Sequence, residues 1–134
     1  MKKLVSLALT MIIMLTLSTT AFAAAQLPIE PMWDNTQRID TYFTFNGTSS
    51  QACARIIGKT GTTRIQATLK VYELINSQWV YITEKTQSVN SDAILISTPF
   101  SAQSGVYYKS VLVVHVTNSA GVVESLQRAT TGTP

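Results

Sequence analysis

The sequence predicts an all-β fold, with about seven antiparallel strands arranged as a sandwich behind an export signal. Three observations lead there. From residue 36 onward, short runs rich in Val, Ile, Thr and Tyr alternate with Gly, Asn, Ser and Asp, the punctuation of strands and turns, at intervals of about ten to fourteen residues. Within residues 63–74, Ile65, Ala67, Leu69 and Val71 alternate with Arg64, Gln66, Thr68 and Lys70, and period two with one polar face marks a half-buried strand. Helical periodicity is absent beyond the first 25 residues.

Residues 1–25 form the first element. Lys2 and Lys3 precede an apolar run over residues 4–17, and Ala21, Ala23, Ala24 and Ala25 follow it. This is the layout of a secretory signal peptide with cleavage expected after Ala23 or Ala25. The run falls short of the roughly 20 apolar residues that a spanning helix needs, so no stable membrane anchor is expected. Residues 26–35 carry Pro28 and Pro31, which fix φ and remove donors, and read as an extended strap with Trp33 as a docking point. The sandwich domain is placed at residues 36–134.

Seven strands are expected within it. The first covers residues 38–45 and ends at Asn46-Gly47-Thr48, followed by 51–57, which ends at Gly58-Lys59-Thr60-Gly61. The third is 63–74, turned by Asn76-Ser77 into a fourth at 79–84. The fifth is 93–97, after which residues 99–105 break the pattern, and the sixth is 107–116. On the sixth strand Tyr108, Ser110, Leu112, Val114 and Val116 are expected to face the core, with Lys109 and His115 outside. A last hairpin at residues 118–121 leads to the seventh strand, 122–128. Antiparallel strands joined by short turns, with no helix, leave a sandwich or a small barrel. Gly105 shortly before Tyr108 suits the corner at which a tyrosine locks a loop in immunoglobulin-like sandwiches. An immunoglobulin-like sandwich is therefore expected, although the paired cysteines of true immunoglobulin domains are missing.

The whole chain carries a formal charge of +3, with ten basic and seven acidic residues. Removal of Lys2 and Lys3 with the signal leaves a nearly neutral chain, its Lys and Arg scattered singly. No basic stripe remains to neutralise a row of phosphates, so nucleic acid is not an expected partner. The single cysteine, Cys53, cannot close an intrachain disulfide. Stability must come from an apolar core, which a domain of about 110 residues is large enough to build.

Catalytic and metal-binding patterns are weak. Gly58-Lys59-Thr60 ends like a phosphate loop, but Cys53 stands where that loop needs its first Gly, and strand formers follow instead of a helix, so a hairpin turn is expected there. Cys53 and His115 are the only thiol and the only imidazole, while a metal site needs three or four ligands. Cys53 reads as a half-buried small hydrophobe and His115 as a surface strand residue. Glu73, Glu84, Asp92 and Glu124 suggest no acid pair across a cleft of the kind glycoside hydrolysis uses. Asn46-Gly47-Thr48 matches a glycosylation sequon but reads as a turn. No enzyme activity, cofactor or metal is expected. Aromatics remain: Tyr72 falls on the polar face of the third strand with Trp79 or Tyr81 beside it, and exposed rings on a flat sheet can stack on sugars or meet a protein. Tyr72, Tyr81 and Trp33 are the candidate ligand-facing residues.

The stretch from Ala52 to Trp79, with its I-G-K-T-G-T-T-R-I-Q-A-T-L core, resembles a group of uncharacterised small exported β-sandwich proteins of Gram-positive gut bacteria. Gly105, Tyr108, the alternating valines, Gly121 and Glu124 are similar to the same group. The resemblance implies fold and export, and it implies no catalytic site. The expected role is that of a secreted, non-enzymatic interaction or accessory module with an extracellular glycan or protein partner. A secreted antimicrobial or toxin-like protein is the alternative.

Overall fold

The computed structural model describes residues 33–134. The signal segment and most of the strap lie outside the described residues. Seven strands run β1 Thr36–Thr44, β2 Ser50–Gly58, β3 Thr62–Ile75, β4 Gln78–Val89, β5 Ala93–Phe100, β6 Tyr108–Asn118 and β7 Val123–Gly132. They form a three-stranded sheet, β1-β2-β5, and a four-stranded sheet, β4-β3-β6-β7. All pairings are antiparallel. The inward faces of the two sheets share one apolar core, so the fold is a β-sandwich of immunoglobulin-like strand order.

The period-two pattern sets the packing. On β3, Ile65, Ala67, Leu69 and Val71 are all fully buried. On β6 the even residues from Tyr108 to Val116 are buried, and the odd ones between them are only partly covered. On β2 the small side chains of Ala52 and Ala54 face the same core beside Ile56. At one end of the core, Phe43, Phe45, Phe100 and Tyr108 pack ring to ring, with Phe100 and Tyr108 centroids 5.0 Å apart. The Tyr108 hydroxyl accepts a hydrogen bond from the Gln103 N–H at 2.8 Å, which ties the β5–β6 loop to the first residue of β6 and makes the expected tyrosine corner.

Several boundaries differ from the sequence reading. β4 continues to Val89 because its hydrogen bonds to β3 hold it, although an edge strand exposed on most of its length has no need of apolar alternation. β5 runs through Pro99, which pairs with Gln51. β5 is an edge strand, so Pro99 can turn the side without a ladder partner outward. Gly58-Lys59-Thr60-Gly61 is not a hairpin, since β2 and β3 belong to different sheets. The segment crosses between the layers, and a Cβ at Gly58 would sit 2.7 Å from Thr62 Cβ, so only glycine fits the crossing. Asn46-Gly47-Thr48 leads into a short 3-10 turn, Gly47–Ser49, and the Ser50 hydroxyl closes it on the Gly47 carbonyl at 2.8 Å.

One inward position departs from an apolar core. Ser110 is completely buried on β6 and its hydroxyl has no hydrogen-bond partner among the described residues. Such a group costs about 1–3 kcal/mol in lost hydration. Ser110→Ala removes the cost and only one small atom, so denaturant unfolding should show a gain of about 1 kcal/mol. A loss of stability on this substitution would contradict the packing described.

Candidate ligand-binding surface

The β3–β4 hairpin builds the most exposed aromatic surface. Asn76 and Ser77 both have positive φ, 50° and 63°, which matches a two-residue turn whose twist suits antiparallel strands. That turn pairs Leu74 with Trp79 and Tyr72 with Tyr81. A register shift then follows, with Val71 opposite Thr83, so Ile82 is an extra residue. This bulge changes the parity of β4. Trp79 and Tyr81 before it, and Glu84, Thr86 and Ser88 after it, all lie opposite the outward residues of β3.

The resulting outer face of the four-stranded sheet is ordered row by row. Tyr81, Tyr72, Lys109 and Thr131 form one row across β4, β3, β6 and β7. Tyr72 and Tyr81 meet edge to face, centroids 6.0 Å apart at 78°. The Lys109 ammonium lies 5.2 Å from the Tyr72 centroid and 4.7 Å from that of Trp79, the geometry of a cation over aromatic faces. Tyr81 is 52% exposed and Trp79 37%, and Tyr107 beside β6 is also exposed. Local desolvation and the Glu84 carboxylate, which faces the Tyr81 hydroxyl, hold that hydroxyl above its ordinary pKa. It therefore stays protonated near neutral pH. The next row pairs Glu84 with Lys70, and the one beyond pairs Thr86 with Thr68, their hydroxyls 2.9 Å apart. Rigid rings set among hydroxyls and charges are suited to binding a flat, hydroxylated ligand.

Trp33 is not on this face. It is half-buried against the core, with the Arg128 guanidinium 5.4 Å over its ring. Arg128 shares its β7 parity with Leu126, which also packs on the core, so Trp33 covers an edge of the sandwich. The residues after it are held by a polar clamp that sequence reasoning missed. Both Glu124 oxygens are used: Oε1 accepts from Asp34 N–H at 2.6 Å, and Oε2 from Asn35 N–H at 3.0 Å and the Thr36 hydroxyl at 2.7 Å. Buried Asn35 donates through Nδ2 to the carbonyls of Val116 and Val122, both at 2.9 Å, and its own carbonyl accepts from Lys59 N–H at 2.8 Å. The Lys59 ammonium donates to the Trp33 carbonyl. Burial pushes the Glu124 carboxyl up, but the donors from Thr36, Asp34 and Asn35 outweigh it and leave the pKa below its usual value of 4.5.

Cys53 and His115 do not meet. Cys53 lies on β2 opposite Tyr42 and Ser97, outside the core cluster, whereas His115 lies on the outer face of the other sheet, 2.7 Å from the Ser125 hydroxyl. Cys53 is more buried than expected, at 6% exposure, although it points away from the core. Burial pushes its thiol up, only partly offset by a hydrogen bond with Tyr42, so it is a poor nucleophile. Cys53→Ser should fold, and wild type and variant should both run as monomers on gels without reductant. A reductant-sensitive dimer in the wild type would show that the thiol is reachable. Among the described residues, no group of three or more His, Cys, Asp or Glu side chains is placed to hold a metal.

Shallow hollows mark the surface of the described residues elsewhere. One, of about 200 Å³, lies between the β2–β3 crossing and the β6–β7 turn and is lined by Asp34, Lys59, Thr60 and Asn118. Another, of about 230 Å³, is lined by Arg64, Gln66, His115, Thr117 and Val123. Neither is lined by Phe, Tyr or Trp. No protein-family model matches the chain, and no curated protein matches it in sequence.

Proposed function

We propose that residues 1–25 are removed on export and that the mature chain is an extracellular, non-catalytic module that binds a glycan through the outer face of its four-stranded sheet. The observation that carries this reading is the pair of exposed Tyr81 and half-buried Tyr72, with Trp79 and Lys109 packed beside it. Two tyrosines and a tryptophan supply large apolar area with few rotatable bonds and a polar tip on each ring. A pyranose ring has the matching character, an apolar C–H face edged with hydroxyls. Strands hold the rings in fixed register, so little ordering entropy is lost on binding. The hydroxyls of Thr68, Thr86 and Thr131 and the charges of Glu84 and Lys109 lie in register around the rings. The separation of Cys53 from His115 supports binding without chemistry.

Affinity electrophoresis of the purified mature domain through gels containing soluble polysaccharides tests the reading. Retardation by at least one polysaccharide is expected, and Tyr81→Ala should weaken it about tenfold while leaving the fold intact. Culture supernatant should contain a chain starting at Ala24 or Gln26. Unretarded migration in every gel, killing of neighbouring strains by the purified protein, or full-length chain found only in membranes would each overturn the proposal.

A further inference from the structure

Resting on the glycan reading, we infer that the ligand is an acidic polysaccharide, one bearing carboxylate or sulfate groups, and that Lys109 is the residue that selects for the charge. The argument begins with the partners of Lys109. Its cross-strand neighbours are Tyr72 and Thr131, both uncharged. Among the described residues it forms no ion pair, the one ion pair there being Arg38 with Asp40 on the other sheet. The nearest lysine on the same face, Lys70, stands opposite the Glu84 carboxylate in the strand register, whereas no charged residue stands opposite Lys109. Lys109 is thus the lysine of the aromatic surface with no charged cross-strand neighbour.

Its position also decides which ring faces a sugar can reach. The ammonium lies over both Tyr72 and Trp79, so a neutral sugar stacking on those faces would have to displace a favourable cation–aromatic contact worth about 0.5–1 kcal/mol at an exposed site. An anionic sugar gains from the same lysine where it stands. Tyr81, the most exposed of the three rings, meets Tyr72 edge-on and stays free to stack. Its centroid is 6.0 Å from that of Tyr72, and the Lys109 ammonium stands 5.2 Å from the same Tyr72 ring, which keeps the Tyr81 ring and the ammonium within roughly the span of two consecutive pyranose units. One sugar can therefore sit on Tyr81 while the acid group of a neighbouring unit meets Lys109.

The test uses the mature domain and two matched pairs of polysaccharides in affinity electrophoresis. Polygalacturonate is set against fully methyl-esterified pectin for the carboxylate, and carrageenan against agarose for the sulfate. Retardation by polygalacturonate or carrageenan, but not by the neutral member of its pair, is expected, and which acid works distinguishes the two sources. Lys109→Gln should weaken that binding about tenfold, and about 0.5 M salt should weaken the wild type in the same way. Lys70→Gln should change it less than twofold. Circular dichroism checks that both variants fold. Equal binding of a neutral polysaccharide, with no effect of Lys109→Gln, overturns the selection for charge and leaves the glycan reading standing. Equal losses from Lys70→Gln and Lys109→Gln overturn the role of Lys109 by showing a diffuse charge effect. Binding to none of the four, with folding intact, overturns this inference, and it also overturns the glycan reading if neutral and acidic polysaccharides of other backbones fail too.

Discussion

Leu69→Ala is expected to destabilise the domain by roughly 2–5 kcal/mol, the range for emptying a buried leucine site. Leu69 is fully buried at the middle of β3, and β3 is flanked by β4 and β6, so the backbone around the cavity has little freedom to collapse. A domain of this size has about 5–15 kcal/mol in total, and the loss should move the denaturation midpoint clearly. Thr68, one residue away, faces outward and shares a hydroxyl contact with Thr86 across the strand. Thr68→Ala should cost well under half as much. Equal losses would mean that both faces of β3 are buried, and a larger loss at Thr68 would mean that its register is inverted.

Asn35→Ala should be the next most damaging change, at about 2–3 kcal/mol. It leaves the carbonyls of Val116 and Val122 and the Asn118 amide short of a partner at a buried site. Glu124→Gln removes the charge from the same clamp and should cost about 1–2 kcal/mol at neutral pH, moderated because the carboxylate is half-exposed. The clamp also makes stability pH-dependent in one direction. The Glu124 pKa is lowered in the folded state, so its contribution is fully present above the unfolded value of 4.5 and is lost as pH falls through the folded value. Urea melts of the wild type should therefore weaken on acidification below about pH 5, and the gap between wild type and Glu124→Gln should close there. A constant gap down to the acid limit would contradict the clamp.

Much of the fold was legible because burial imposes parity. The alternation on β3 and the even residues of β6 identify their inward faces from sequence alone, and Asn76-Ser77 marks its turn because few residues tolerate two consecutive left-handed positions. What stayed hidden depends on partners distant in the chain. β4 from Lys85 to Val89 has no apolar alternation, since an edge strand takes its order from its neighbour. Pro99 argues against a strand unless the edge is known. The crossing at Gly58 looks like a hairpin turn until the sheet membership of β2 and β3 is fixed. The clamp joins Asn35 to Glu124 across 89 residues, and neither side chain carries a local signal of the other. Strand parity puts Tyr72 on the polar face with Trp79 or Tyr81 beside it, and only the β3–β4 register selects Tyr81, as only the β3–β6 register brings in Lys109.

The two tryptophans offer the most direct test of the binding surface, because Trp79 belongs to the outer face and Trp33 to the edge of the core. In an NMR titration of the labelled mature domain with oligogalacturonate, the Trp79 indole N–H and the amides of Tyr72, Tyr81 and Lys109 should shift together, with the Trp33 indole unmoved. Shifts centred on Trp33, or on the hollow around Asp34, Lys59 and Asn118, would contradict the account.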